Sequence, residues 1–392
     1  MHLTHTQLTL LIALLNGMNK KHALNVCSHL FFTPAGDKII LTASDLDMDF
    51  FWPLPVSPSP SLQVPVSCPI VWFLKTATRI PKDGHLEIRA ENGTVHLLPS
   101  KGPSVRSPER SLKIKDAPEF NTTGLTRGGW LSTATMQTAL KAMPFISTDE
   151  TRYVLNGVHI QADGHIVATD GRRLAHAPTP HTTLPESIIL PTRFVAPLAA
   201  VNGAYERELG NTAHDLPTAH RIPIWLNGRT TESGISTATM LLTQTAGCYV
   251  RLKIIDGNYP NWRQVIPMDF NTLVTFREGF MDDFTTLLRT STRAKDTKVK
   301  LTLLPGRKVQ ATLYTDSGTT FTEALGDPLD AGTHASREHY AIAFNAHFFR
   351  DTLNFSGLTL RLQDAISPAT GGSPDGAQTV LMPMRVNAAV AA

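Results

Sequence analysis

A helix-forming stretch followed by strands of alternating polarity occurs three times along this chain. Repetition on that scale constrains the fold more than any single motif, because each copy must bury the same kind of face. Segments 4–16 (THTQLTLLIALLN), 132–143 (STATMQTALKAM) and 278–291 (EGFMDDFTTLLRTS) each open near a Ser, Thr or Glu start signal. Each then carries apolar residues at helical spacing. A second helical segment lies further along each stretch, at 66–80, 190–203 and 344–355. Each of these runs out of a short strand end. Pro197 falls inside the second one, which predicts a late start or a kink there.

Between the helices the pattern changes to period two. In HLEIRAENGTVHLLP, Leu86, Ile88 and Ala90 alternate, then Val95 and Leu97 follow across Asn92-Gly93. Asn-Gly between alternating runs is the strongest short hairpin signal. VKLTLLPGRKVQATLY does the same with Val299, Leu301 and Leu303, then Val309, Ala311 and Leu313. Residues 39–52 and 153–170 read as further strand pairs. The predicted class is α+β: three repeated units, each with two helices packed on antiparallel sheets. Their boundaries fall near residues 125 and 256, giving 1–125, 126–255 and 256–392. The turn-rich stretch 211–234 reads as a surface insertion in the middle unit.

A length of 392 residues suits two to four domains, each with its own core. With 42% hydrophobic and 18% charged residues, neither a disordered nor a fibrous class fits. The net charge of +3 is too small for indiscriminate binding to polyanions, so any nucleic-acid surface must concentrate its cations. Cys27, Cys68 and Cys248 are far apart and form no C-x-x-C, which points to a reducing compartment. The apolar run 8–15 precedes Lys20 and Lys21 instead of following a basic segment, and it is too short to span a bilayer. It reads as the first helix of a domain, and the expected location is the cytoplasm.

Lys75 and Arg79 stand four apart on one predicted helix, Arg289 and Arg293 at the end of another. Like charges at that spacing cost roughly 0.2–0.5 kcal/mol per pair on an isolated helix. Lys20, Lys21, Lys141, Arg152, Arg193 and Arg350 lie on or beside the other helices. Singly, each is an ordinary solvated residue. Together, cations on the helices of every repeat fit a polyanion passing those faces. Neither an aromatic platform for single strands nor a recognition helix accompanies them, so the expected contact is with a duplex backbone.

Signatures of catalysis are missing: G-x-S-x-G, a phosphate loop, H-E-x-x-H and the dinucleotide glycines. No catalytic residue, cofactor or metal is therefore expected. The run Asp45-Leu46-Asp47-Met48-Asp49 lacks the glycine and distal glutamate of a calcium loop. Its strand-like flanks predict carboxylates on the wet face of a strand. His176 and His181 read as parts of a Pro-rich surface loop, and His214-Asp215 as an isolated dipeptide. A hydrolase built on these histidines would need a nucleophile or metal that the sequence does not display.

Three segments carry a resemblance: ETRYVLNGVHIQADGHIVATDGRRLAHAP (150–178), DGNYPNWRQVIP (256–267) and VLMPMRV (380–386). With 39–50 and 341–355 they resemble, in order through all three repeats, the bacterial sliding clamps, the beta subunit of DNA polymerase III. The resemblance implies a head-to-tail homodimeric ring of similar domains, with helices lining a pore and sheets forming the wall. Such a ring is non-catalytic. It encircles double-stranded DNA without sequence specificity. A hydrophobic groove tethers DNA polymerase, the clamp loader and repair proteins through short peptides. No membrane is involved.

By motif match, the groove here would be lined by Leu155, Thr169, Gly171, Arg172, Arg173, Leu174, Pro260, Gln264, Val265, Val380, Met382, Pro383 and Met384, with Arg385 nearby. Methionines adapt to varied apolar side chains, Gly171 allows a sharp turn, and arginines reach carbonyls or an acidic end. Lys20, Lys21, Lys75, Arg79, Asp149, Arg152 and Tyr153 match positions near the pore. Lys141, Arg193 and Arg350 join them from the helix faces. Asp149 is an odd neighbour for a phosphate.

Several features depart from the family pattern. Gln264 stands where a basic residue is usual and Arg172 where histidine is common, which would alter peptide preference. Residues 387–392 run past the usual terminus, within reach of the groove. The polar stretch 289–298 falls where an apolar ring contact belongs, leaving Leu288 to face Leu112 and Ile114 of a partner's edge strand. Such divergence suits an accessory, plasmid or phage clamp. The competing reading is a clamp-derived peptide-binding protein that forms no stable ring on DNA.

Overall fold

The computed structural model describes residues 1–55, 62–113, 119–120, 123–179, 181–209, 221–230, 236–245, 247–270, 272–291, 297–304, 308–314, 320–325 and 341–385. Among these are six α-helices: α1 (His5–Gly17), α2 (Ile70–Ala77), α3 (Thr133–Ala142), α4 (Thr192–Leu209), α5 (Phe280–Ser291) and α6 (Ala346–Ser356). They fall on the six segments read as helical from the sequence.

Their starts have local causes. Thr4 and Gln7 form a reciprocal capping box. The Gln7 N–H donates to Thr4 Oγ1 (3.3 Å) and the Thr4 N–H to Gln7 Oε1 (2.9 Å). Asn345 caps α6 by accepting from His347 N–H (3.0 Å) and Phe348 N–H (3.1 Å). The late start expected at Pro197 does not occur, because α4 begins at Thr192. The proline ring instead packs against α1 at a glycine. A Cβ on Gly17 would lie 2.5 Å from Pro197 Cγ and 3.3 Å from the Arg193 carbonyl oxygen. That close approach between helices offsets the hydrogen bond which Pro197 cannot donate.

The chain forms two compact units. The first comprises 1–140, 160–164 and 179–257. Its larger, eight-stranded sheet runs in the order 66–69, 29–35, 38–44, 48–54, 248–253, 236–245, 221–230, 126–132. Phe51 pairs with Tyr249 in the middle of that sheet. A four-stranded sheet contains the predicted hairpin 86–91/94–99. Asn92 (φ 52°) and Gly93 (φ 73°) form its turn, and Leu86, Ile88, Ala90, Val95 and Leu97 are buried on one face.

The second unit comprises 141–159, 165–178 and 258–392. One of its sheets includes, in order, strands 165–169, 173–178, 378–381, 369–372, 359–362 and 272–275. Another has the order 320–325, 308–314, 298–304, 341–345 and includes the second predicted hairpin. Phe280, Phe284 and Leu288 recur at four-residue spacing on α5. That spacing puts them on one face, packed with Phe276 and Phe349. Leu288 is only 2% exposed there. The expectation that it faces a partner's edge strand is corrected accordingly, since its side chain belongs to its own core. Leu112 is half-buried, and Ile114 lies outside the described residues.

Two further expectations are corrected. Asp45 and Asp49 do not sit on a wet face: both are buried among cations. The Asp45 carboxylate accepts from Asn19 N–H (2.6 Å), Met48 N–H (2.8 Å) and Arg193 (3.0 Å). Asp49 pairs with Arg251, and Asp47 with Arg193 and Lys253. Burial of these carboxylates requires such partners, and they come from residues far along the chain. His176 is not in a loop. It sits in strand Arg173–Pro178, buried, with its ring 5.1 Å from His165 and 4.5 Å from Trp262. His181 is exposed in a turn at φ 64°, and His214 lies outside the described residues.

The three cysteines are buried and free, and burial pushes the Cys68 and Cys248 thiols far up. No helix among the described residues is long and apolar enough to cross a membrane.

Candidate peptide groove and basic helix faces

The doubly basic corner Thr169-Asp170-Gly171-Arg172-Arg173 joins two neighbouring strands of the second unit. Thr169 Oγ1 donates to the Arg173 carbonyl (2.7 Å) and accepts from Gly171 N–H (3.1 Å). Asp170 Oδ1 accepts from the N–H groups of Arg172 (2.8 Å) and Arg173 (3.0 Å), the Asx pattern that closes a turn. Gly171 has φ 84°, and a Cβ there would lie 2.8 Å from Arg152 Nη1. Gly171→Ala is therefore expected to cost about 1–2 kcal/mol through the left-handed backbone and a displaced Arg152. Urea unfolding checks this, and a midpoint equal to that of the parent would contradict it.

The two arginines of the corner have opposite fates. Arg172 is exposed. The Arg173 side chain is 7% exposed and pairs with Asp170 (3.0 Å) and Asp351 (2.7 Å). It also donates to the Pro144 carbonyl. Its guanidinium lies 3.9 Å from the Phe348 ring centroid and 5.0 Å from that of Phe145. Arg173, expected from the sequence to line a groove, is instead buried, with its guanidinium engaged on its edges and both faces by the protein itself.

Next to the corner lies a small apolar floor. Leu174 pairs across the sheet with Val380, and both pack with Val167 and Trp262, flanked by Tyr259 and Ile266. The chain continues past Val380 with Met382 N–H donating to the Arg172 carbonyl (3.0 Å) and Met384 N–H to that of Ala343 (2.7 Å). Val265 (55%) and Met382 (46%) leave apolar surface exposed. Pro260, Gln264 and Arg385 are exposed, Thr169, Pro383 and Met384 half-buried, and Leu155 buried.

Sequence reasoning missed Trp262 and Tyr259. Trp262 is the buried residue of the short helical turn Trp262–Val265. Tyr259 stacks on His159 at 4.4 Å, and burial raises its phenol's pKa. An aromatic residue between Asn261 and Arg263 gives no periodic signal, so nothing in the sequence marks it as buried.

The basic residues divide into free and engaged groups. Lys21, Lys75 and Arg79 are exposed in the first unit. Arg79 lies beyond α2, which ends at Ala77, so it does not share a helix face with Lys75. Lys20 donates to Asn16 Oδ1 (2.8 Å), and Arg193 is spoken for by Asp45 and Asp47. In the second unit Lys141 and Tyr153 are exposed. Arg152 pairs with Asp149 (3.3 Å), and Arg350 with Asp351 (2.7 Å). Arg289 is exposed on α5, and Arg293 lies outside the described residues. Asp149 now has a structural reason. It accepts from the Thr151 hydroxyl (2.7 Å) and N–H (3.0 Å) at the start of a short helical turn, and these bonds hold its carboxyl below the usual range.

No protein-family model matches the chain. Individual relatives do. The beta sliding clamp of Caulobacter vibrioides is 26% identical over 384 residues, covering 94% of this chain and 95% of the relative. That of a Synechocystis species is 27% identical over 290 residues, covering 70% of this chain and 69% of its own. Among solved structures, a sliding clamp from Bartonella birtlesii bound to griselimycin has a TM-score of 0.73 at 20% identity, over 98% of this chain and 99% of that one. A Caulobacter crescentus beta sliding clamp with polyethylene glycol bound gives 0.71 at 22% identity, over 98% of each chain. Along nearly its whole length the chain is thus similar in sequence to the beta sliding clamps, and it shares their fold.

Proposed function

We propose that this chain is a DNA sliding clamp. Two copies join head to tail into a ring of six similar domains, three per chain at 1–125, 126–255 and 256–392, around duplex DNA. The observation that carries the reading is the correspondence with clamps across nearly the whole of both chains. That end-to-end match favours a complete clamp over a peptide-binding derivative without a ring. A C2 arrangement of two head-to-tail contacts closes without leaving a free edge. Lys21, Lys75, Arg79 and Lys141 supply exposed cations for sequence-independent phosphate contact, held loosely enough to slide. The floor of Leu174, Val380 and Trp262, with Val265 and Met382 exposed beside it, takes short apolar peptides of DNA polymerase, the clamp loader and repair proteins. The protein is a non-catalytic processivity factor of the cytoplasm and needs no cofactor.

The test is topological. Loaded onto nicked circular DNA, the protein is expected to stay bound through gel filtration and to be lost once the circle is cut. Equal retention on circular and linear DNA, or a persistent monomer by mass at micromolar concentration, would overturn the ring.

A further inference from the structure

The apolar floor does not end at Val380. Strand register continues it as a single cross-strand row: Leu174 opposite Val380, Val380 opposite Thr370, Thr370 opposite Arg361. Directly opposed residues share a face of the sheet. At about 4.8 Å per strand the row extends some 14 Å from Leu174 to Arg361, about four residues of extended peptide. At its far end is a cleft of about 200 Å³. Its walls include Ile266, which also packs on the groove floor, together with Met268, Phe270 and Arg361.

Two of those walls are unusual for a folded surface. Met268 is 86% exposed and Phe270 53% exposed, side by side with an arginine. The Arg361 guanidinium lies over the Phe270 ring at 5.4 Å, and no carboxylate of the described residues pairs with it. Asp269, between the two apolar residues in sequence, is not part of the lining. Apolar surface and a cation with no carboxylate partner among the described residues, at the end of a peptide groove, fit one kind of occupant: more of the same peptide, bearing an apolar residue and a carboxylate.

We infer that a partner peptide held in the groove continues along this row into the cleft, where a flanking apolar side chain rests on Met268 and Phe270 and an adjacent carboxylate meets Arg361. The inference builds on the groove reading above. It makes the cleft a second determinant of partner choice: partners with an acidic-apolar flank are held more tightly than those with the apolar core alone.

The test uses the full chain and fluorescein-labelled peptides in anisotropy titrations. The short probe carries Leu-Ser-Leu-Phe. Two longer probes add Ser-Asp-Trp-Glu at one end or the other, and a control adds Ser-Asn-Ser-Gln. One long acidic probe is expected to bind about tenfold tighter than the short one, the gain of a charge-assisted contact plus buried apolar area. The control should gain nothing. Arg361→Gln and Met268→Ser should each remove most of the gain and leave the short probe's affinity within about twofold, as expected of substitutions remote from its contacts. If the short probe binds but neither long probe gains, or the gain survives Arg361→Gln, the cleft inference falls and the groove stands. If the short probe itself does not bind, both fall. A lower mass of the free protein on Met268→Ser, with the peptide gain intact, would assign the surface to a second copy and overturn the proposal.

Discussion

Trp262→Ala is expected to remove about 3–5 kcal/mol from the stability of the second unit and to weaken binding of the Leu-Ser-Leu-Phe probe by more than tenfold. The indole is the buried member of the turn Trp262–Val265 and holds that turn to the sheet. One neighbour is His176 at 4.5 Å, with His165 at 6.1 Å behind it; Arg263 stacks on the indole at 4.4 Å. Truncation opens a cavity beside Leu174 and Val380 and loosens the turn that carries Val265. Stability and binding therefore fall together. Trp262→Phe keeps a ring against His176 and is expected to lose less than half as much of each. Thermal unfolding and anisotropy on the same preparations check the pair. If Trp262→Ala unfolds at the parent temperature and still binds the probe, the turn is held by something other than its indole.

The difference between what could and could not be read beforehand follows sequence separation. Leu86, Ile88 and Ala90 announced a strand, and Asn92-Gly93 its turn, because period and turn chemistry are written within a few residues. Thr4, the start signal of the first helical segment, announced α1 for the same reason. Pro197 misled, since its tolerance inside α4 depends on Gly17, a residue in another helix. Asp45 and Asp49 looked solvated because their partners are remote: Arg193 is 148 residues from Asp45, and Arg251 is 202 from Asp49. His176 was read from the prolines and polar residues around it, when its surroundings are set by a strand pair and by Trp262. The candidate groove was legible as three separate segments matching one family. Which of their side chains face outward was not, and that question decides function at the doubly basic corner.

Arg173→Ala is expected to cost about 3–5 kcal/mol, whereas Arg172→Ala next to it should change stability by less than about 0.5 kcal/mol. Removing the buried guanidinium strands Asp170 and Asp351, leaves the Pro144 carbonyl without its donor, and empties the space between Phe348 and Phe145. Asp351 keeps Arg350 as a partner at 2.7 Å, so its charge is not wholly uncompensated, and the lower half of the range is the better estimate. Asp351→Ala should reproduce much of the loss from the other side. The double substitution Arg173→Met with Asp351→Leu should cost clearly less than Arg173→Met and Asp351→Leu cost singly when added, because the two opposed charges leave together, while Asp170 keeps the N–H groups of residues 172 and 173. Urea unfolding of the four proteins measures this coupling. Additive losses would mean that the pair at 2.7 Å contributes nothing as a pair. The peptide titration separates the two arginines in the opposite sense. Arg172→Ala, exposed on the turn, should alter probe affinity without altering the unfolding midpoint. Arg173→Met, in the background of Asp351→Leu, should restore the midpoint without touching the peptide directly. A corner with two adjacent cations thus buries one to hold its own shape and leaves the other exposed.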